Sequence, residues 1–133
     1  MSNKYDSNWE QEYAQLLFIS KRAKIIADFV RCKRKGEEHT LKVMMSNGKP
    51  IKYTPDFWVT ENDGSTTLIE VKGVRRRFTK NGKVYGGQED KAGIKNFQHF
   101  SIHCPQYHFR MVTKKAGACV TLYDLNKEKT NEI

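Results

Sequence analysis

The residues with the most chemical content sit in two short stretches, Tyr53-Thr54-Pro55-Asp56 and Glu70-Val71-Lys72, with thirteen residues between Asp56 and Glu70. Side chains alternate faces along a strand, so in LIEVKG Glu70 and Lys72 project from one face while Ile69 and Val71 project from the other. Two charges inside an apolar strand are unusual, because charged groups are seldom buried unless paired or bound to a metal. Two carboxylates beside an ammonium have a definite chemistry. Carboxylate oxygens are hard ligands suited to Mg²⁺, which keeps positions open for water and a phosphate oxygen. A cation there polarises the phosphate and lowers the pKa of a bound water. The lysine orients that water or holds negative charge in the transition state. The plain alternative is a Glu70–Lys72 salt bridge on an exposed strand face.

Whether Asp56 joins them depends on one turn. Directly opposed residues of an antiparallel pair share a face, and Glu61-Asn62-Asp63-Gly64-Ser65 reads as the turn of a hairpin. An odd loop, Asn62-Asp63-Gly64 with Gly64 left-handed, sets Asp56 opposite Glu70. A two-residue Asp63-Gly64 turn instead pairs Phe57 with Glu70 and sends Asp56 to the other side. The sequence allows both, and a bulge would change either.

The remaining elements follow from periodicity and turn signals. A helix is expected from Ser7, an N-cap with Glu10 three residues on as in a capping box. Trp9, Tyr13, Leu16, Leu17 and Ser20 then share one face. A strand is expected from about Ile25, another in EEHTLKVMM up to the turn Ser46-Asn47-Gly48-Lys49, and single strands in IKYTPDFWVT and TTLIEVKG. A basic, glycine-punctuated segment with an Asn81-Gly82 turn follows. A helix from Gln88 to about His103 carries Ile94, Phe97 and Phe100 inward, and YHFRMVT and ACVTLYDL read as strands. Residues 124–133 read as a loose tail. The fold class is therefore α/β, with a mixed central sheet flanked by helices, in one domain over residues 1–133.

Composition points to the partner. Twenty-four Lys and Arg against fifteen Asp and Glu give a net charge of +9 over 133 residues, which attracts polyanions through phosphate neutralisation. No apolar run is long enough to span a bilayer and no secretory signal opens the chain, so a cytoplasmic location away from membranes is expected. Cys32, Cys104 and Cys119 lack CxxC spacing, which argues against a disulfide framework or a zinc ribbon. His99, His103 and Cys104 cluster on the second helix without a fourth ligand, and read as helix-face residues.

An early helical Glu, then Pro-Asp, then Glu-x-Lys resembles the PD-(D/E)xK nuclease superfamily. SNWEQEYAQLL, YTPDFWVTENDGS and LIEVKG look like short phage-encoded members, including the endonuclease I type of Holliday-junction resolvase. The resemblance covers roughly residues 7–112. It implies a restriction-endonuclease-like core and a Mg²⁺-dependent DNA endonuclease, with Mn²⁺ able to substitute. Asp56 and Glu70 would be metal ligands, with the Val71 carbonyl a third, and Lys72 would be the catalytic lysine. Glu10 would be the first-helix acid that helps hold a second metal. On a helical wheel Glu10 lies about 60° from the centre of the apolar face and Glu12 about 100° away on the other flank, which favours Glu10.

Between Lys72 and Lys95 the chain also carries Arg75, Arg76, Arg77, Lys80, Lys83 and Lys91. These read as a phosphate clamp beside the site, with Lys95 an alternative aid to catalysis. The leading expectation is an endonuclease acting on branched or processed DNA. The alternatives are a transposon-end or head-completion nuclease, and a non-cleaving nucleic-acid-binding or inhibitor module on the same scaffold. One small domain offers one site, so cutting both strands would require a homodimer or successive nicking.

Overall fold

In the computed structural model, which describes residues 4–32, 39–73, 78–85, 91–115 and 117–126, the Glu-x-Lys strand lies at the centre of a five-stranded sheet. In chain order the elements are α1 (Lys4–Arg22), β1 (Asp28–Arg31), β2 (Leu41–Met44), β3 (Pro50–Tyr53), β4 (Phe57–Thr60), β5 (Thr66–Lys72), β6 (Phe78–Lys80), β7 (Lys83–Tyr85), α2 (Lys91–His103), β8 (His108–Lys115) and β9 (Ala118–Leu125). The sheet order is β1-β4-β5-β8-β9, while β2-β3 and β6-β7 form separate two-stranded ribbons. β5 and β8 are parallel, joined by the connection that carries α2, and the other neighbours are antiparallel. This is an α/β fold with a mixed central sheet flanked by helices.

Burial on both faces explains why β5 reads as a nearly continuous apolar run. On one face Phe57, Val59, Ile69 and Val112 meet Trp9, Tyr13 and Leu17 of α1. On the other, Leu68, Phe109 and Met111 meet Phe97 and Phe100 of α2, with Tyr53 of β3. Each large apolar side chain so buried contributes about 1.5–3 kcal/mol. The β2-β3 ribbon lies against α2 through Leu41, Val43 and Ile51.

Several expected boundaries move. Because α1 begins at Lys4, Ser7 lies inside the helix rather than at its N-cap. Continued backbone hydrogen bonding outweighs a cap preference of about 1 kcal/mol. Leu16 is 46 % exposed, whereas Ala14 packs against the core, so the buried stripe is rotated toward the Ala14 and Glu10 side. β1 starts at Asp28 rather than near Ile25 because Lys24, at φ 63°, turns the chain first. IKYTPDFWVT is two strands in different sheets: Pro55 has no N–H for a ladder and separates β3 from β4. The last strand runs to Leu125, and Asp124 is held in it by His108 and by Arg110 at 3.5 Å, so those two residues are not tail. Residues 127–133 lie outside the described residues.

The hairpin adopts the odd loop. Phe57 pairs with Ile69, Trp58 with Leu68, Val59 with Thr67 and Thr60 with Thr66. Glu61 N–H donates to the Ser65 carbonyl at 2.8 Å, Gly64 N–H to the Glu61 carbonyl at 3.0 Å, and Gly64 has φ +91°. The Asp63 carboxylate accepts the Ser65 N–H, closing the turn with a local side chain. A Cβ at Gly64 would meet nothing within 4 Å, so its cost is conformational alone. Gly64→Ala should destabilise the protein by about 1–2 kcal/mol in urea unfolding, and Gly64→Asn by less. Equal stability of all three proteins would show that the turn does not depend on a left-handed residue.

Candidate functional site

Three strand termini meet at the site: Tyr53 ends β3, Asp56 immediately precedes β4, and Glu70 and Lys72 close β5. Asp56 is 3 % exposed and Glu70 7 %, so each needs donors. The Tyr53 hydroxyl donates to Glu70 Oε1 at 2.8 Å, and the Lys72 ammonium lies 3.6 Å from Glu70 Oε2. The Asp56 N–H donates to the Ile69 carbonyl at 3.0 Å, and Asp56 Oδ2 accepts the Val71 N–H at 2.7 Å. Val71 is the residue between Glu70 and Lys72, so this bond seats the Asp56 carboxylate beside the segment that carries both. The Glu70–Lys72 ion pair does form, but on a largely buried face rather than an exposed one. Glu70 and Lys72 are 10 % and 22 % exposed at their side chains, and the acid is shared with a buried phenol.

Neighbouring elements hold the backbone under these groups. Thr113, fully buried and paired with Lys72 in the parallel β5–β8 ladder, donates its hydroxyl to the Lys72 carbonyl at 2.7 Å. Cys32, just past β1, donates its N–H to the Asp56 carbonyl at 3.0 Å. Tyr53 itself stacks on Phe100 and Phe109, with ring centroids 5.4 and 6.4 Å apart, which fixes where its hydroxyl points. Burial pushes the Tyr53 phenol well above its usual range. The Glu70 charge and hydrogen bond, and then the Asp56 charge, push it further. Both acids thus act on one hydroxyl.

Glu10 is placed differently. Its Oε2 accepts from Arg31 Nε at 3.0 Å. Arg31 pairs with Phe57 in β1–β4, on the α1 face, whereas Glu70 shares the α2 face with Leu68 and Tyr53. The structure thus brings Asp56, Glu70, Lys72 and the Val71 backbone together, and holds Glu10 to an arginine on the other face. Glu12, the competitor, bonds Lys114 at 2.7 Å near the surface. Among the described residues no group of three or more His, Cys, Asp or Glu side chains is placed to hold a metal. His99 and His103 are neighbours on α2, with ring centroids 4.4 Å apart.

Of the basic residues expected to grip a polyanion, Arg75, Arg76 and Arg77 lie outside the described residues. Lys80 and Lys83 are exposed and directly opposed across the β6-β7 hairpin, whose Asn81-Gly82 turn has φ 53° and 78°. Lys91 and Lys95 are exposed on α2. Sequence reasoning gave no role to Tyr53 or Arg31. Tyr53 left a signal: alternation along β3 turns it inward with Ile51, and a buried tyrosine hydroxyl needs a partner. Arg31 left none, since its partner is twenty-one residues away across the sheet.

The raised Tyr53 pKa makes a prediction for metal-free protein. The phenol contributes stability in full below its unfolded value near 10, and that contribution is lost as pH rises through the higher folded value. Tyr13, also raised by burial, behaves alike. Absorbance titration should show late-ionising tyrosines, and Tyr53→Phe should remove the latest component. Its persistence in the variant would exclude Tyr53 as the source.

Neither a curated protein nor a solved structure matches the chain. A family model matches residues 1–108, a span that takes in α1, the β2-β3 ribbon, the whole β4–β5 hairpin with its two acids and lysine, and α2. By that match the chain belongs to the family described as "Protein of unknown function (DUF1064)".

Proposed function

We propose that the protein is a divalent-metal-dependent DNA endonuclease on a restriction-endonuclease-like core, hydrolysing phosphodiester bonds at the Asp56, Glu70 and Lys72 site. One observation carries this reading. Two buried carboxylates and an ammonium are gathered at adjoining strand ends, with the Val71 N–H bonded to one acid between the other acid and the lysine. A purely structural role would not need them: replacing buried charge with apolar side chains is often neutral or stabilising. The resemblance to short phage-encoded endonucleases supplies the substrate class, branched or processed DNA.

The donor set fits a hard cation, since Asp56 and Glu70 offer carboxylate oxygens and the Val71 carbonyl lies between Glu70 and Lys72 in the chain. Mg²⁺ or Mn²⁺ bound there would supply charge neutralisation at a phosphate and a more acidic water. The chain's own groups do the rest. Lys72 is held where its ammonium balances acid charge and can face the phosphate. Tyr53 fixes the orientation of Glu70, and Thr113 anchors the Lys72 backbone. Glu10 enters as a further ligand only by leaving Arg31. Lys80, Lys83, Lys91, Lys95 and Arg75–Arg77 supply positive charge for the DNA backbone.

A non-cleaving DNA-binding module is the second reading. It is favoured by Glu10 being held to Arg31 and by no third acid being grouped with Asp56 and Glu70 among the described residues. One assay separates the two. With Mg²⁺, four-way-junction and linear DNA should be cut, and chelation should stop cutting. Asp56→Ala, Glu70→Ala and Lys72→Ala should each lower the rate by at least about 10²-fold while DNA affinity stays within a few-fold. Near-wild-type cleavage by two of the three variants would sink the site assignment, and binding without any cleavage would select the second reading.

A further inference from the structure

The inward side of α1 is used up by the sheet, and its outer flank carries apolar side chains that the fold does not cover. Trp9, Tyr13 and Leu17 bury against the α1 side of the core. Leu16 is 46 % exposed and Ile19 61 %. Ala23, also exposed, continues their row, because its N–H still bonds the Ile19 carbonyl at 2.9 Å as in the helix. Glu12, Leu16, Ile19 and Ala23 are spaced by four, three and four residues. That spacing is the repeat of a helix seam that faces another helix. Single exposed apolar side chains are ordinary on a protein surface, but a row of them at the helix repeat marks a contact.

The charges at the two ends of the row select its partner. Glu12 opens the row and Arg22, exposed beside Ala23, flanks its end. A second copy laid parallel would set acid against acid and guanidinium against guanidinium. A second copy laid antiparallel sets Leu16 of each against Ile19 of the other, and Glu12 of each beside Arg22 of the other. The row is therefore complementary to itself reversed. Glu12 Oε1 already accepts from Lys114 at 2.7 Å, and a carboxylate accepts several donors, so a second cation adds to that bond without replacing it. We infer that the protein forms a homodimer in which α1 packs antiparallel on α1 of a second copy, about a two-fold axis between Leu16 and Ile19. The seam lies on the α1 side of the sheet, whereas Glu70 faces α2, so the inference goes beyond the nuclease reading and does not rest on it. Its three turns span about 17 Å, a contact smaller than the usual stable interface, so the dissociation constant should be on the order of 10–100 µM.

The test is sedimentation equilibrium of the full chain over about 5–500 µM, where the weight-average mass should rise toward twice that of the monomer. Ile19→Glu should raise the dissociation constant at least about tenfold, since it sets a charge at the centre of the seam. Leu16→Gln is a second, milder break, and cooperative melting is checked for every variant. Arg22→Glu and Glu12→Lys should each weaken the dimer about three- to tenfold, because each change alters two symmetric contacts. The Glu12→Lys/Arg22→Glu double variant restores opposite charges across the axis and should recover most of that loss.

Wild-type protein that stays monomeric up to about 1 mM would overturn the inference. So would a dimer that persists unchanged in both Ile19→Glu and Leu16→Gln. No recovery in the double charge variant would overturn the antiparallel arrangement. A monomer that instead sediments with phosphatidylserine-containing phosphatidylcholine vesicles, and ceases to in Ile19→Glu, would replace the second copy with a lipid surface. Asp56→Ala should dimerise as the wild type does, so loss of cleavage and loss of the dimer are read separately.

Discussion

A carboxylate buried in the middle strand of a sheet has to be answered by donors that arrive from other elements, and Glu70 is such a carboxylate. Leaving it unpaired would cost several kcal/mol, a large fraction of the roughly 5–15 kcal/mol that holds a domain together. Two of the answering groups, among the described residues, come from different parts of the chain. Lys72 is supplied by the same strand at the next same-face position. Tyr53 is supplied by a ribbon outside the main sheet, and its ring packs on Phe97, Phe100 and Phe109 with its hydroxyl at Glu70. The α2 core and the site are therefore one piece of packing, and the aromatic cluster under Tyr53 sets the orientation of the acid above it.

The β4–β5 register is the second condition. With Phe57 opposite Ile69, the buried side chains of β4 and the apolar ones of β5 fall on matching faces, and Asp56 arrives beside Val71. A slip by one residue would turn Phe57 and Val59 toward the charged side of β5 and Trp58 toward α1. Both faces of the sheet are filled, so the slip is opposed from both sides. Glu61, Asp63, Gly64 and Ser65 complete the turn with local hydrogen bonds that match this register, and local and long-range preferences agree.

The acids divide between the two faces. Asp56 and Glu70 bear on the Tyr53 hydroxyl, while Glu10 is taken up by Arg31 on the α1 side. Arg31 sits on the edge strand, and its fork reaches an acidic side chain that the rotated helix turns toward the sheet. The rotation has a packing cause: Trp9, Tyr13 and Leu17 fill the space over Phe57 and Val112, and Ala14 allows close approach on the Glu10 flank. Leu16 is left outside because its flank faces away from the sheet.

Much of this architecture was legible from periodicity alone. The alternation in LIEVKG, the turn residues around Gly64 and the i, i+3 apolar run of α2 are local signals, because side-chain direction follows backbone period. They placed Glu70 and Lys72 on one face and narrowed Asp56 to two registers. Tertiary structure decided the remainder. The choice between loops required both faces of β5 to be covered, which is a fact about α1 and α2 rather than about the hairpin. The split of IKYTPDFWVT into strands of two sheets followed from where Pro55 left the ladder. The partners of Glu70 and Glu10, Tyr53 and Arg31, are seventeen and twenty-one residues distant. Pairing across such distances is set by which faces meet, and no local pattern in the chain encodes it.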